Sequence, residues 1–398
     1  MVDVREQYEA YPYPERNPKD EKSRLITGSP SHPLEMDHYL WGGARDWSKP
    51  LRALVAGGGT GDGLVQLAAT LKATNRPCEI TYIDLSRASR KVAEARAKAR
   101  GLTNIEFRTG DLLEVGALGQ FDYIDCCGVL HHLAEPIEGF RALSSALADD
   151  GGLGFMVYAP YGRSGVYLLQ SAFGTLFGDL DPSKRLKAAK QVVRALPEGH
   201  PFRRNLQLID HGSSDAGFYD LLLHSQDQAF TVERLCRTLK DADLNLVSFV
   251  EPGRYDLSRF YAASAELNSV EAMAVAEKLD GTMKTHIGYA ARSERQVEPA
   301  SGGMAAVPNL KGVPPGSLAK VVASKGRVQI RSGSEKVSVD IPKTAAPIIA
   351  RINGRSTLGE IAVTARLDPI AFSAAWKPAE RALAGWGLLW YSRLHLNG

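Results

Sequence analysis

Hydrophobic residues follow two different periods along residues 51–158 of the chain. Short apolar runs predict strands at residues 52–56, 79–83, 105–109, 123–127 and 153–158. Apolar residues at helical spacing predict helices between them, at residues 63–72, 87–100 and 137–147. This alternation is typical of βαβ units, which build a parallel sheet covered by helices on both faces.

Residues 230–292 continue the pattern. A helix is predicted at residues 230–241 with Thr231 as its N-cap, and strands are predicted at residues 244–250 and 286–292. The predicted fold is therefore α/β, a doubly wound, Rossmann-like sheet of seven strands. We assign residues 51–292 to this domain. A helical insertion at about residues 159–230 either covers the ligand site as a lid or serves packing or homodimer formation, and these alternatives stay open.

A polar segment rich in small residues follows this domain, and we interpret residues 293–312 as a flexible linker. Beyond it, strands at residues 321–331 and 336–341 predict a hairpin, followed by helices at 344–352, 358–366 and 369–384 and a strand at 388–391. Thr357 with Glu360 predicts a capping box, and Pro378 predicts a kink or break in the last helix. Residues 313–398 resemble the winged-helix α+β modules attached to peptide-modifying enzymes, which implies an interaction domain.

The first 50 residues are interpreted as an arm with a lead-in helix near residues 34–47. Aromatic-proline pairs within residues 1–22 argue against a regular helix and predict an extended segment. This composition favours a tail packed on the surface. The alternative is a lid over the ligand site, in which Tyr8 and Tyr13 contact the bound molecule.

Composition narrows the class of protein further. The net charge is +3, but from Lys320 onward 12 Lys and Arg stand against 5 Asp and Glu, so the C-terminal region is the basic one. Because these charges are spread over several elements, we rank protein or peptide binding above nucleic-acid binding. No apolar run is long enough to span a bilayer, and the four cysteines lack metal-ligand spacing. We expect a cytoplasmic protein with no membrane partner and no metal site.

The chemically informative residues follow the carboxyl ends of the predicted strands, where open α/β sheets bind ligands. The strands end, in chain order, in Gly57-Gly58-Gly59-Thr60-Gly61, Asp84, Gly110-Asp111-Leu112 and Gly128-Val129-Leu130-His131-His132. Glycines let a backbone approach a ligand closely. The glycine turn has no register for G-x-G-x-x-G, and no lysine follows it as in a phosphate-binding loop. A nucleoside ligand without phosphates, such as S-adenosylmethionine, fits better.

These four segments resemble, in order and spacing, the motifs of the class I S-adenosylmethionine-dependent methyltransferases. The resemblance implies that the glycine turn passes along the methionine portion of this cofactor and that Asp84 holds the ribose. It also implies that Asp111 and Leu112 hold the adenine and that the loop at residues 128–132 flanks the methyl group. Together with the arm and Asp62, the predicted cofactor contacts are Tyr8, Tyr13, Gly57, Gly59, Gly61, Asp62, Asp84, Leu85, Gly110, Asp111, Leu112, Gly128, Val129 and His132.

One position departs from the pattern of this family. Val55 lies two residues before the first motif glycine, where the family commonly has an acidic residue. The group that anchors the methionine ammonium must therefore come from elsewhere, and we expect Asp62 or the N-terminal arm to supply it.

The segments flanking the motifs, among them Gln7-Tyr8-Glu9, Tyr11-Pro12-Tyr13-Pro14 and residues 220–231, resemble a bacterial subgroup that includes protein-lysine methyltransferases. This resemblance implies N-methylation of a protein or peptide side chain such as lysine. A methyltransferase acting on a small metabolite is the nearest alternative. A non-catalytic S-adenosylmethionine-binding regulatory protein is an alternative of another class.

The candidate catalytic residues are His224, Asp227, Tyr158 and Tyr161. His224 and Asp227 are three residues apart on a predicted helical turn and would share one face, with Asp220 one turn earlier. A histidine paired with a carboxylate can act as a general base. The alternative is a pair that only caps and packs a helix.

Overall fold

The computed structural model describes residues 4–261, 267–333 and 335–396, and its central element is a mixed sheet. The sheet contains the strands Leu51–Ala56 (β1), Cys78–Asp84 (β2), Ile105–Thr109 (β3), Phe121–Cys127 (β4), Leu147–Tyr158 (β5), Leu244–Phe249 (β6) and Thr285–Arg292 (β7). Their order is β3-β2-β1-β4-β5-β7-β6, and β7 runs antiparallel to both of its neighbours. The predicted seven-stranded α/β sheet is confirmed, although β5 begins at Leu147 instead of residue 153.

The α-helices of the described residues fall between and beyond these strands. They are Val4–Ala10 (α1), Pro33–Leu40 (α2), Asp62–Ala73 (α3), Arg87–Ala99 (α4), Pro136–Ser145 (α5), Val166–Phe177 (α6), Pro182–Ala195 (α7), Pro201–Arg204 (α8), Asp210–Ser213 (α9), Asp215–Leu222 (α10), Val232–Asp241 (α11), Ser269–Asp280 (α12), Pro315–Lys325 (α13), Ala346–Ile349 (α14), Leu358–Thr364 (α15) and Pro369–Gly385 (α16). Within the described ranges, no helix combines the length and the apolar character that crossing a membrane requires.

Alternate residues of β1 belong to different hydrophobic cores. Leu54 and Ala56 pack in the core that includes α5 and α11, whereas Ala53 and Val55 pack in the core that includes α2 and α3. This alternation follows from the strand repeat of two residues and confirms a sheet covered on both faces. Strands β2 and β3 lie on one side of β1, and β4 pairs with its other side. The strand order therefore reverses between β1 and β4, and the carboxyl ends of these two strands border the crevice at that point.

The N-terminal arm differs from the predicted extended segment. Val4–Ala10 forms a helix, and Pro18–Lys22 forms a 3₁₀ turn capped by the side chain of Asn17. The aromatic-proline pairs begin only at Tyr11, so they end α1 without preventing it. The prediction of an arm with no regular helix is therefore wrong.

The insertion after β5 forms a small helical layer with its own core. Helices α6 to α10 enclose Phe173, Leu186, Phe202 and Phe218, and Tyr11 of the arm stacks on Tyr219 of α10 with ring centroids 5.0 Å apart. This layer lies beside the arm, so the arm and the insertion approach the carboxyl edge of the sheet together.

The C-terminal region has a separate core of its own, built from α13 to α16 and two short sheets. Its strands are Pro308–Leu310 (β8), Arg327–Ser332 (β9), Glu335–Asp340 (β10) and Leu389–Tyr391 (β11), with β9 paired to β10 and β8 paired to β11. The predicted hairpin exists, and residue 334 of its turn lies outside the described residues. Thr357 and Glu360 form the predicted capping box.

Two predicted elements of this region have wrong boundaries, and the predicted break at Pro378 is absent. Residues 321–325 belong to helix α13, which ends at Gly326 with a φ of 63°, so the first hairpin strand starts only at Arg327. Helix α16 continues through Pro378, which does not break it. The predicted helix at residues 344–352 contracts to Ala346–Ile349 behind a 3₁₀ turn.

The segment interpreted as a flexible linker is held in place. The Ala300 amide donates to the His38 carbonyl at 2.8 Å, the Gly302 amide donates to Glu380 Oε1 at 2.8 Å, and residues 308–310 are strand β8. Small residues, which made the segment look flexible, let the chain pass closely along α2 and α16: a Cβ at Gly302 would lie 2.3 Å from Glu380 Oε1. The linker interpretation is corrected accordingly.

Helix α2 joins the C-terminal region to the main sheet. All eight of its residues are buried. On one side Glu35 accepts a 2.9 Å hydrogen bond from Tyr289 of β7, and on the other Asp37 accepts one of 2.5 Å from Ser392, just after β11. Trp390 of β11 is 3% exposed and packs in the same core as β1 and α2.

Because Trp390 belongs to the core of the main sheet, we expect Trp390→Ala to destabilise both regions in a single unfolding transition. The expected loss in the free energy of unfolding is about 3–5 kcal/mol, as for other buried tryptophans cut to alanine. The matched control is Ile370→Ala on the same region, where the side chain is 82% exposed, and its expected effect is below about 0.5 kcal/mol. Equal effects of the two variants in urea unfolding would contradict this packing.

Candidate functional site

A cavity of about 500 Å³ opens at the carboxyl ends of β1, β2 and β4. Thirteen of the fourteen predicted cofactor contacts line it, the exception being Gly61. Gly61 precedes α3 with a φ of 95°, and a Cβ there would lie 3.0 Å from Ala93 of α4. Gly61 therefore serves the close packing of α3 on α4.

The glycine turn after β1 is fixed by close contacts with both neighbouring strands. A Cβ at Gly57 would lie 2.5 Å from Val129, in the loop after β4, and a Cβ at Gly58 would lie 2.4 Å from the Tyr82 ring of β2. The Tyr82 hydroxyl donates to the Gly59 carbonyl at 2.5 Å. Side chains at these positions would push the turn away from the strand ends, so the glycines shape the floor of the cavity.

Asp84 ends β2 and holds the turn from the other side. Its carboxylate accepts the Gly59 amide at 2.8 Å and the Ser86 amide at 2.8 Å, and burial raises the pKa of this carboxyl. Asp111, at the end of β3, caps the next 3₁₀ turn by accepting the Leu113 amide at 2.9 Å. Both carboxylates border the cavity, where they can accept hydrogen bonds from the hydroxyls or amine of a nucleoside.

The N-terminal arm lies directly over the glycine turn. The Thr60 hydroxyl donates to the Pro14 carbonyl at 2.7 Å, and the Ser86 hydroxyl donates to the Tyr8 carbonyl at 3.1 Å. Tyr8 and Tyr13 line the cavity. These contacts agree with the interpretation of the arm as a lid over the ligand site and not with that of a tail packed on the surface.

Asp62, one of the two groups expected to anchor an ammonium, already has cationic partners. Arg16 of the arm lies 2.6 Å from its carboxylate and Arg96 of α4 lies 2.7 Å from it. Burial alone would raise the pKa of Asp62, but these two guanidinium groups outweigh it and lower the pKa. Asp62 therefore binds the arm to α4 instead of presenting a free carboxylate.

Five side chains at the far end of the cavity form a hydrogen-bonded group, which we call the Asp220 cluster: Tyr8, His132, Tyr158, Asp220 and His224. The Tyr8 hydroxyl donates to Asp220 Oδ1 at 2.9 Å, and the Tyr158 hydroxyl donates to Asp220 Oδ2 at 3.0 Å. His132 stacks on His224 with ring centroids 3.6 Å apart. Burial raises the pKa of Asp220, and burial lowers the pKa of His224 well below its usual value, so the His224 ring is neutral.

Backbone contacts with Gln226 set the tautomers of both histidines. The Gln226 amide donates to His224 Nδ1 at 3.1 Å, so the proton of His224 lies on Nε2 and points to the Tyr8 oxygen 3.2 Å away. The Gln226 carbonyl lies 2.8 Å from His132 Nδ1, which must donate to it. Its Nε2 has no hydrogen-bond partner among the described residues, so in the Nδ1–H tautomer this atom carries the open lone pair. The cluster therefore contains a carboxylate held by two phenols and a histidine able to take a proton.

Three of the four predicted catalytic residues do not line the cavity. Helix α10 ends at Leu222, so His224 and Asp227 lie on an irregular segment and do not share a helical face. Asp227 forms a buried 2.9 Å ion pair with Arg163, whose guanidinium lies 3.6 Å from the centre of the Tyr158 ring. Tyr161 is 37% exposed and points to a separate surface pocket. The predicted His224–Asp227 pair is wrong, and Tyr158 alone of the four borders the cavity.

The ligand atoms of His132, Asp220 and His224 lie within 4.8 Å of one another, which raises the question of a metal ion. The two imidazole planes are only 15° apart and stacked, so their nitrogen lone pairs run side by side and do not converge on one point. Both Nδ1 atoms are also occupied by Gln226. This geometry fits a hydrogen-bond network better than a coordination site.

Three carboxylates of the cavity were not among the predicted site residues: Asp125 of β4, Asp210 of α9 and Asp220 of α10. Asp125 is 2% exposed, and burial raises its pKa to about 6. The available signal was an acidic residue at an inward position of an otherwise apolar strand, Phe121-Asp122-Tyr123-Ile124-Asp125-Cys126-Cys127. Asp220 was noticed only as a neighbour of His224.

The lining as a whole fits a cationic nucleoside ligand. The cationic side chain that borders the cavity among the described residues is Arg16. Six aspartates border the cavity as well: Asp62, Asp84, Asp111, Asp125, Asp210 and Asp220. The glycine turn leaves room where any Cβ would intrude, and two strand-end carboxylates face the space beside it. S-adenosylmethionine carries a sulfonium and an ammonium, so the residues present fit it.

Comparison with known proteins agrees with this geometry. Residues 54–153 match the family model described as a methyltransferase domain. An uncharacterized protein of Synechococcus sp. is 32% identical over 266 residues, which cover 65% of this chain and 62% of that protein, so the chain spans less than two thirds of this relative.

Among solved structures, PKMT2 from Rickettsia typhi has a TM-score of 0.63 at 15% identity, covering 93% of this chain and 76% of that one. The same protein in complex with AdoHcy gives a TM-score of 0.58 at 13% identity and the same coverage. The likeness in fold thus extends beyond the sheet into the C-terminal region. Residues 54–153 are a methyltransferase domain, and the chain has the fold of the class I S-adenosylmethionine-dependent methyltransferases.

Proposed function

We propose that this protein transfers a methyl group from S-adenosylmethionine to the side-chain nitrogen of a lysine in a protein or peptide. The observation that carries the proposal is the Asp220 cluster, a carboxylate held by two tyrosines at one end of a cavity bordered by the cofactor motifs. A carboxylate in that position attracts an ammonium group more strongly than a phenolic or other neutral donor, which would gain a hydrogen bond but no charge pairing.

Asp220 would hold the incoming amine, and the tyrosines would hold Asp220. Each phenol donates to a different carboxylate oxygen, which leaves the remaining lone pairs of both oxygens for the substrate. The His224 ring fixes Tyr8, because its Nε2 proton points to the Tyr8 oxygen. Burial of the Tyr8 and Tyr158 hydroxyls raises the pKa of each well above its usual value, so both remain proton donors.

An amine must lose a proton before its nitrogen can accept a methyl group. His132 Nε2 is the free acceptor of the cluster, and it lies on the loop after β4, beside the residues that the family places next to the methyl group. S-adenosylmethionine supplies an already activated methyl group, so positioning of the nitrogen accounts for most of the rate enhancement required of the protein. We assign amine binding to Asp220, orientation to Tyr8 and Tyr158, and proton acceptance to His132.

Two further observations support a protein substrate. PKMT2, whose name denotes a protein-lysine methyltransferase, has a similar fold over 93% of this chain, including the C-terminal region. That region is the basic part of the sequence, with a core separate from that of the sheet. A region of this kind, which contacts the main sheet through α2, would serve as a docking platform for an acidic protein substrate.

Methyl transfer into a cell lysate separates the proposal from its alternatives. With tritiated S-adenosylmethionine and bacterial lysate, we expect label in the protein fraction, recovered as methyl-lysine after acid hydrolysis. Label confined to the low-molecular-mass fraction would favour a metabolite methyltransferase. AdoHcy binding in calorimetry without any transferred label would favour a non-catalytic sensor.

Asp220→Asn should reduce methyl transfer without weakening cofactor binding. The amide keeps the size of the carboxylate but loses the charge that holds an ammonium, and we expect a loss of about 10²-fold in kcat/KM. AdoHcy affinity, measured by calorimetry, should not change. Asp215→Asn on the same helix is the matched control, because its side chain is 59% exposed and lies outside the cavity. Equal activity of Asp220→Asn and Asp215→Asn would refute the role of the cluster.

A further inference from the structure

Asp125 lies next to the position where the expected acid is missing. In the parallel pairing of β1 with β4, Val55 is the register partner of Asp125. Register partners on adjacent strands project to the same side of a sheet, and both residues border the cavity. The chain therefore has a carboxylate on the strand next to Val55, the residue that stands where the family commonly has an acid.

The Asp125 carboxylate is held in place by groups that leave it without a counter-ion. The Ser29 hydroxyl lies 3.2 Å from Oδ2 and 3.4 Å from Oδ1. Gln66 fixes Ser29, because its amide donates to the Ser29 carbonyl at 2.9 Å while its oxygen accepts the Gly28 amide at 2.8 Å. In the ion pairs of the described residues Asp125 does not appear, in contrast to Asp62 with its two arginines.

Gly63, in the first turn of α3, provides the space that the carboxylate occupies. A Cβ at Gly63 would lie 2.0 Å from Asp125 Oδ2, so no other residue is compatible with this side-chain position. The carboxylate consequently lies between the start of α3 and the floor of the cavity, on the side of the glycine turn that the family assigns to methionine.

We propose that Asp125 binds the ammonium of the methionine portion of S-adenosylmethionine. Asp125 on β4 would thus take the role of the acidic residue that the family commonly has on β1, at the position of Val55. The inference rests on the proposed use of this cofactor and names one of its binding residues. A buried carboxylate without a counter-ion is unfavourable, and a bound ammonium removes that cost by supplying the missing charge. Burial raises the pKa of Asp125 to about 6, as expected for a carboxyl whose partner arrives with the ligand.

Two ligands that differ only in the amino-acid portion test this assignment. AdoHcy carries the ammonium and carboxylate, whereas 5′-methylthioadenosine has the same nucleoside and thioether without them. For Asp125→Asn we expect AdoHcy affinity in calorimetry to fall about tenfold or more, the factor that loss of one charge-assisted hydrogen bond gives. Affinity for 5′-methylthioadenosine should stay as in the unaltered protein.

Asp84→Asn is the matched control, because both ligands contain the ribose that Asp84 is expected to hold. This variant should lower the affinity for both ligands. The melting temperature of ligand-free Asp125→Asn should equal or exceed that of the unaltered protein, since the variant removes a buried ionisable group and keeps its shape. If Asp125→Asn does not yield folded protein, Asp125→Ser replaces it with the same expected pattern.

Unchanged AdoHcy affinity of Asp125→Asn, or an equal loss for both ligands, would overturn the assignment. A lowered melting temperature with equal losses would instead identify Asp125 as a structural residue. If the unaltered protein binds neither ligand, the proposed cofactor itself is wrong, and that outcome is distinct from the failure of Asp125 alone.

Discussion

The absence of side chains at Gly57 and Gly58 is the constraint on which the site depends. Because a Cβ at either position would collide with Val129 or Tyr82, the turn after β1 closes against the ends of β4 and β2 only as glycine. Asp84 then secures the turn through the Gly59 amide, and the arm rests on it through Thr60 and Pro14. The floor and the cover of the cavity are both built on this one turn.

The carboxylates that line the cavity are used in two opposite ways. Asp62 has both of its cations within the protein and therefore fastens the arm to α4. Asp125 and Asp220 are held by hydroxyl groups, which orient a carboxylate without neutralising it. A chain that leaves two buried acids without counter-ions gives up some stability of the empty protein, and an ammonium group bound at each of them, one from the cofactor and one from the substrate, would restore it.

Local patterns in the sequence were sufficient to predict the sheet and the cofactor motifs. Each strand is a short apolar run, and the residues that follow a strand are fixed in space by the topology of a parallel sheet. Thr357 with Glu360 was predictable for the same reason, since a capping box depends on residues three apart.

The wrong predictions depend on contacts between distant residues or on a single backbone angle. Residues 321–325 have strand-forming valines, but Gly326 in a left-handed conformation ends a helix there. The spacing of His224 and Asp227 suggested a pair, but Asp227 forms an ion pair with Arg163, which is far away in sequence. Asp125 is visible in the sequence as an acid within a strand, but its position beside Val55 depends on the register of β1 with β4, which one sequence does not contain.

The position of α2 has a consequence for the synthesis of the protein. Asp37 of this helix and Ser392, which donates to it, are 355 residues apart in the chain. The face of α2 that meets β11 therefore stays uncovered until residues 389–392 have been synthesised. The segment of residues 28–30 precedes this helix and contains Ser29, whose hydroxyl donates to Asp125. The segment that holds Asp125 thus gains this support only after residues 389–392 have been synthesised, so a chain truncated before them would carry every cofactor motif beside an incompletely packed α2.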